Sequence, residues 1–302
     1  MVKPQASIRS TASRRRNASF VIAFLVVVLL LICGLTLVLI RGTISGTRRE
    51  PKPVLAGVIV ETFVELPGKR AYPDSITIGP DGNLYVSSYC EGDIWRITPD
   101  GQLDVYFDGD DGIGAASGLA FAPDGMLYVI DGGDCSPRKW SATLKRIAPE
   151  TKTVERVTNI GTEDLPNALA FDADGNLYVS DSRTGAIRRL EGENFITWWD
   201  APSRDASLTG LAYDFVNNGL VTADTENGIL YRVPIMPDGT AGNPQVLVDN
   251  TDIELDGLTV DDRGRVFFTQ YNLNQVAMYQ PESGVTILAK DFRQPSDIAY
   301  LN

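Results

Sequence analysis

Histidine is absent from all 302 residues of the chain. That one absence removes an imidazole general base, a histidine-ligated zinc and every Ser-His-Asp arrangement. Cysteine is scarce: Cys33, Cys90 and Cys135 are the full set, too few for a disulfide-dense scaffold. Basic residues are outnumbered, 27 Lys and Arg against 39 Asp and Glu, and nine of the 27 fall within the first 52 residues beside one acid, Glu50. Beyond Lys52 the balance is 18 basic to 38 acidic residues, a formal charge of −20. Such a body repels nucleic acid and attracts cations, although solubility alone also accounts for it. Any catalysis must run on carboxylates, hydroxyls, amides, lysine, tyrosine or a bound ion.

Long apolar runs are lacking too, with one exception. Residues 20–40, "FVIAFLVVVLLLICGLTLVLI", carry no charge, and at helical rise they reach roughly 31 Å, enough to cross a hydrocarbon core. A cleaved signal peptide has a shorter apolar run and a small-residue cleavage site; here "RGTISGTRRE" follows instead. An uncleaved transmembrane signal anchor is expected. Arg14, Arg15 and Arg16 lie close before the span, so the positive-inside rule places residues 1–19 in the cytoplasm as a basic tail. Residues 41–56 then form a linker, and residues 57–302 an extracytoplasmic body on a single-pass membrane protein.

That body repeats itself. "PDSITIGPDGNLYVSS" begins at Pro73, "ASGLAFAPDGMLYVID" at Ala116, "PNALAFDADGNLYVSD" at Pro166, "LTGLAYDFVNNGLVTAD" at Leu208, "LDGLTVDDRGRVFFTQ" at Leu255, and a clipped "PSDIAYLN" at Pro295. The second residue of each copy is polar but variable: Asp74, Ser117, Asn167, Thr209, Asp256 and Ser296, spaced 40–50 residues apart. Such periods signal propellers or helical solenoids, and short alternating strands with Asp-Gly turns decide for the propeller. The expected fold is all-β: a six-bladed β-propeller of four-stranded antiparallel blades, its sixth blade incomplete, preceded by one transmembrane helix. "GVIVETFVEL" at 57–66 should supply the outer strand of that last blade. "DADGN" at 172–176 lacks the later residues of an EF-hand loop and reads as a hairpin turn.

Other features have two readings each. Cys90 and Cys135 follow the "LYV" strand in consecutive repeats, which suits a disulfide in an oxidising compartment or two separate thiols. Asp131, Asp181 and Asp224 end the second strands as a second acidic column, structural or functional. Arg138 and Trp140, in the long loop "GGDCSPRKWSAT", either cover the channel mouth and select an anionic or sugar-like ligand, or belong to a solvated loop with one packed Trp. Of Trp198 and Trp199 on an outer strand, one should pack between blades and the other face outward.

The line "PNALAFDADGNLYVSDSRTGAIRRL" resembles the NHL repeat. Residues 57–302 as a whole resemble the six-bladed superfamily of senescence-marker-protein/gluconolactonase and strictosidine-synthase-like proteins. The lactonase branch implies a divalent cation at the channel mouth, held by a first-blade Glu, a fourth-blade Asn and a fifth-blade Asp, with a third-blade Asn assisting substrate. Carried onto this chain, "LDGL" reproduces the Asp at Asp256 and "PNAL" an Asn at Asn167. Asp74 stands where the family has Glu, and Thr209 where it has Asn.

First strands run along a propeller axis, so the polar column should ring one mouth of the channel. Its oxygen-only set suits a hard cation such as Ca²⁺ or Mg²⁺, with Mn²⁺ and Zn²⁺ as further divalents. Asp74, Asn167 and Asp256 are the expected metal ligands, Asp256 also the catalytic base, and Ser117, Thr209, Ser296, Arg138 and Trp140 the expected substrate contacts. The expected function is metal-dependent hydrolysis of lactones or small esters. The alternative is a non-catalytic binding or scaffold propeller that recognises a protein, peptide or glycan.

Overall fold

The computed structural model describes residues 50–67, 72–135, 141–161 and 165–301. The expected tail (1–19), the span (20–40), most of the linker and the loop residues Arg138 and Trp140 lie outside these. Among the described residues no helix is long and apolar enough to cross a membrane.

Strands dominate because apolar and polar residues alternate between Gly- and Asp-rich turns. A two-residue strand, β1 (Lys52–Pro53), comes first. The first blade holds β2 (Pro73–Ile78), β3 (Leu84–Ser88), β4 (Ile94–Ile97) and β5 (Leu103–Phe107). The second holds β6 (Ala116–Phe121), β7 (Leu127–Asp131), β8 (Ala142–Ile147) and β9 (Val154–Gly161). The third holds β10 (Pro166–Phe171), β11 (Leu177–Asp181), β12 (Ala186–Glu191) and β13 (Asn194–Asp200). The fourth holds β14 (Leu208–Asp214), β15 (Gly219–Asp224), β16 (Ile229–Pro234) and β17 (Gln245–Asp249). The fifth holds β18 (Leu255–Val260), β19 (Val266–Gln270), β20 (Gln275–Gln280) and β21 (Gly284–Lys290), and β1 adds to its outer edge. Each blade is an antiparallel meander in chain order.

Five sheets form among the described residues, which corrects the expected six. The sixth inner place is taken by residues 291–300, which enter no sheet. The Ser296 carbonyl accepts from the Gly257 N–H at 2.7 Å, and the Asp297 carboxylate accepts from the Ile76 N–H at 2.9 Å, so this segment bridges β18 and β2. Residues 57–66 are not the expected strand either; Val64 and Leu66 instead pack on Val86, Trp95 and Ile97 of the first blade. The physical reason is that no middle strands stand between these two segments among the described residues. Without them neither segment has a ladder partner.

The core lies between successive blades. Tyr85, Ile94 and Phe107 of the first blade meet Leu119, Leu127 and Ile147 of the second, and Ala223 and Leu230 of the fourth meet Leu258 and Phe268 of the fifth. Trp198 and Trp199 are both buried in the cluster shared by the third and fourth blades, so the expectation that one faces outward is corrected. A register shift opposite Ile187 and Arg188 breaks strict alternation there. Trp198 then packs edge-on to Tyr178, and Trp199 to Tyr231.

Candidate functional site

Every inner strand breaks register at the same two residues. Pairing skips from Pro73 to Ile76, Ala116 to Leu119, Pro166 to Leu169, Leu208 to Leu211 and Leu255 to Leu258. Each skipped pair is the variable polar residue and a small one after it. A bulge takes its side chain out of the alternating pattern and re-aims it, so the frame can be strict while the polar residue varies.

Backbone groups freed by the bulge find partners on the second strand. The Ser75 N–H donates to Ser87 Oγ at 2.9 Å, and the Ala168 N–H to Ser180 Oγ at 3.0 Å. Thr222 Oγ1 donates to the Gly210 carbonyl at 2.9 Å, and Thr269 Oγ1 to that of Gly257 at 3.3 Å. Only Ile130 interrupts this hydroxyl column. The small residues are explained by crowding between inner strands. A Cβ on Gly118 would stand 2.6 Å from the Asn167 carbonyl, and one on Gly210 2.4 Å from that of Asp256.

Asp74, Asn167, Asp256 and Ser296 meet around one small cavity of about 20 Å³, with Asp297 completing its wall. That space suits a single water or ion. Asp74, Ser75, Asp256, Ser296 and Asp297 also line a second cavity of about 1010 Å³. Neither the Asp74 nor the Asp256 carboxylate, nor the Asn167 amide, has a hydrogen-bond or ion-pair partner among the described residues. Half-buried polar groups left in this state take their partners from the cavity, as water or as a ligand.

The electrostatics agree. Burial lifts Asp74 to about 6. Asp256 is raised well above the usual carboxylate range by burial first, then by the negative charges of Asp74 and Asp297. Burial takes Asp297 to about 7, against hydrogen bonds from Ile76, Ile298 and Ser75 that pull the other way. No Lys or Arg lines the small cavity.

The remaining expected residues lie elsewhere or act on the backbone. Thr209 Oγ1 is 2.8 Å from Thr225 Oγ1 and donates to the Leu255 carbonyl at 3.3 Å. Ser117 is 2 % exposed, and its carbonyl accepts from Ser87 Oγ. Ser296 Oγ donates to the Pro73 carbonyl at 3.2 Å. Cys90 and Cys135 form a disulfide with 4.7 Å between Cα atoms, and both line the large cavity. Asp131, Asp181 and Asp224 accept backbone N–H groups from the loops that follow them, at Gly133, Arg183 and Asn227, and from the segments before the first strands, at Gly114, Leu165 and Ser207. Asp172 fixes the 172–176 turn through the Asp174 and Asn176 N–H groups.

Asp297 was missed by reading the polar column alone. Its signal lay one place further on, where the other copies have Ser75, Gly118, Ala168, Gly210 and Gly257. A carboxylate in a column otherwise held by small residues is the departure that marks it.

A divalent cation fits this donor set in charge and hardness. Among the described residues no three Asp, Glu, Cys or His side chains stand together at metal-ligating separation. A cation here would therefore need a mixed set, with amide oxygen beside carboxylate.

Residues 206–299 match the family model described as the SMP-30/Gluconolactonase/LRE-like region. No curated protein sequence matches the chain. Solved structures share its fold at low identity. A calcium-binding protein, regucalcin, from Agrobacterium tumefaciens is 16% identical over 76% of this chain and 78% of its own, with a TM-score of 0.61. A gluconolactonase from Xanthomonas campestris is 16% identical over 75% and 78%, with a TM-score of 0.57. A catalytically inactive His-to-Ala variant of virginiamycin B lyase from Staphylococcus aureus, solved with quinupristin, is 17% identical over 74% and 72%, also at 0.57. The sheet architecture and these likenesses show a β-propeller fold, and residues 206–299 carry the family likeness.

Proposed function

We propose that this propeller is a metal-dependent hydrolase of lactones or esters, its reaction centred on Asp256. One observation carries the reading: Asp74, Asn167 and Asp256, brought from three blades to one ion-sized cavity, have no partner within the described protein. Supporting it, the family match covers the repeat that contains Asp256, and the gluconolactonase and the calcium-binding regucalcin have the same fold. The histidine whose loss inactivates the virginiamycin B lyase has no counterpart in a chain without histidine. This argues against a shared lyase mechanism.

Asp74, Asp256 and Asn167 would hold the cation, which supplies carbonyl polarisation and a more acidic water when bound. The chain's own groups do the rest. Asp256, kept basic by burial and by its acidic neighbours, takes the proton of the attacking water as its oxygen bonds to the carbonyl carbon. The ring or ester C–O bond then breaks, and that proton passes to the departing alkoxide, giving a hydroxy acid or an acid and an alcohol. The anchor reading adds that the body works outside the cytoplasm, tethered by residues 20–40.

The test is hydrolysis of glucono-δ-lactone and aryl esters by the full chain in detergent, with and without Ca²⁺, Mg²⁺, Mn²⁺ or Zn²⁺. Activity that disappears with EDTA and falls at least 100-fold in Asp256→Asn supports the proposal. Turnover untouched by both treatments overturns it. A second reading, a non-catalytic partner-binding propeller, has one observation in its favour: Ile59 is 84% and Phe63 52% exposed, on the segment whose Val64 and Leu66 pack on the first blade. Recovery of a stoichiometric partner by a chain with no turnover would decide for it.

A further inference from the structure

The large cavity is far bigger than an ion site needs. At about 1010 Å³ it stands at the top of the roughly 300–1,000 Å³ range of sites for drug-sized ligands. A single sugar ring would leave most of it to water.

Its wall has a distinct chemistry. Tyr72, Tyr89 and Tyr271 line it from three separate segments, with Val86 and Pro295 between the polar groups. Tyr72 is 60% exposed, while Tyr89 and Tyr271 are half-buried. Tyr89 lies close enough to the ion-sized pocket that burial and the Asp74 charge push its phenol up to about 12, so it stays a neutral ring in water. Rings held in this way offer flat apolar surface at small conformational cost, and they favour stacked or edge-on contact with another aromatic group. Carboxylates are confined to the shared base of the two cavities: Asp74, Asp256 and Asp297 line both.

From this juxtaposition, and resting on the hydrolase reading above, we propose that the substrate is a bulky lactone or ester with an aromatic or similarly flat apolar group. That group lies against Tyr72, Tyr89 and Tyr271 while its carbonyl reaches Asp256. A small polyhydroxylated sugar lactone is the poorer substrate, because it has too little apolar surface to displace the water from these rings.

Steady-state kinetics of the full chain would compare dihydrocoumarin, an aromatic lactone, with glucono-δ-lactone. The expected kcat/KM favours dihydrocoumarin by at least about tenfold, the size one aromatic contact supplies. Tyr271→Ala should raise KM for dihydrocoumarin about tenfold with little change in kcat, and Tyr271→Phe should restore it. Equal or better turnover of the sugar lactone, or a Tyr271→Ala variant that folds with an unchanged KM, overturns the assignment. If neither lactone is hydrolysed, the hydrolase reading falls separately, and calorimetry with the matching lactam, 3,4-dihydro-2-quinolinone, decides the cavity. Binding lost in Tyr271→Ala supports the aromatic site, and no binding to the wild-type protein overturns it.

Discussion

Asp297 accepts a hydrogen bond from the Ile76 N–H at 2.9 Å across 221 residues of sequence. Ser75 Oγ donates to the same oxygen at 3.1 Å, and accepts in turn from the Leu119 N–H at 3.2 Å. The last inner segment is thus held to the first two blades through this carboxylate and the bond from Ser296 Oγ to the Pro73 carbonyl, without a ladder.

That carboxylate makes stability depend on pH. Asp297 is raised to about 7 and Asp74 to about 6 in the folded chain, against 3.8 for a free Asp. A native state that keeps protons the unfolded chain has released loses stability as pH climbs from 3.8 through those values. In EDTA, the Tm of the body should fall by roughly 5–10 °C between pH 5 and pH 8. Asp297→Asn keeps an acceptor oxygen for Ile76 and should flatten the fall, and saturating Ca²⁺ should reverse much of it at pH 8. A Tm scan by differential scanning calorimetry that stays flat in wild type would contradict these assignments.

Thr209 provides a second discrimination. The family resemblance puts an Asn ligand at this position, but the hydroxyl here is engaged by Thr225 and by the Leu255 carbonyl. Thr209→Val should therefore cost about 1 kcal/mol of stability, one net hydrogen bond. Cation affinity should stay within about twofold of wild type, whereas Asp256→Asn weakens it by at least tenfold, about the 1.4 kcal/mol of one lost charged contact. Titration calorimetry that shows both variants weakened alike would make Thr209 a ligand.

The repeat, the strand pattern and the polar column were legible in the sequence because each depends on local periodicity. The convergence of Asp74, Asn167 and Asp256 on one cavity followed from the repeat frame. The number of sheets did not, because a sixth inner segment can be present without the middle strands that would make it a blade. Asp297 was hidden by the same frame, since its importance comes from its meeting with Ser75 and Ile76, far away in the chain. Trp198 escaped alternation through a bulge that no local signal announces.

The Cys90–Cys135 disulfide links loops of the first two blades at a sequence separation of 45. Closing a loop of that length should stabilise the fold by about 4 kcal/mol in the chain-entropy picture. Both sulfur residues also stand in the wall of the large cavity. Cys90→Ser with Cys135→Ser should lower the denaturant midpoint and weaken dihydrocoumarin binding about threefold or more, at the scale of one loosened apolar contact. Chemical denaturation with a parallel binding assay separates the two effects. An unchanged midpoint would show that the bridge constrains little.

Gly257 and Gly210 test how the ring is closed. A Cβ on Gly257 would stand 2.3 Å from Asp297 Oδ1, 2.4 Å from the Asp297 Cα and 2.5 Å from the Ser296 carbonyl. A Cβ on Gly210 would stand 2.4 Å from the Asp256 carbonyl. The clashes are alike, but the segments struck are not. Asp256 lies in the bulge of β18 between Leu255 and Leu258, both paired to β19, so its retreat strains the ladder on either side. Residues 296–297 enter no sheet and can move away. Gly210→Ala should therefore carry the larger stability loss, about 3 kcal/mol at the upper end of overpacking effects, and Gly257→Ala nearer 1 kcal/mol. The order reverses for the site's pH response: Gly257→Ala, by displacing Asp297, should remove the larger part of the fall in Tm toward pH 8 and leave the Asp74 share, while Gly210→Ala keeps the whole. Calorimetric scans of both variants at pH 5 and pH 8 read the two quantities together. Equal stability losses with the pH response intact in both would mean that the last segment is held as firmly as a strand.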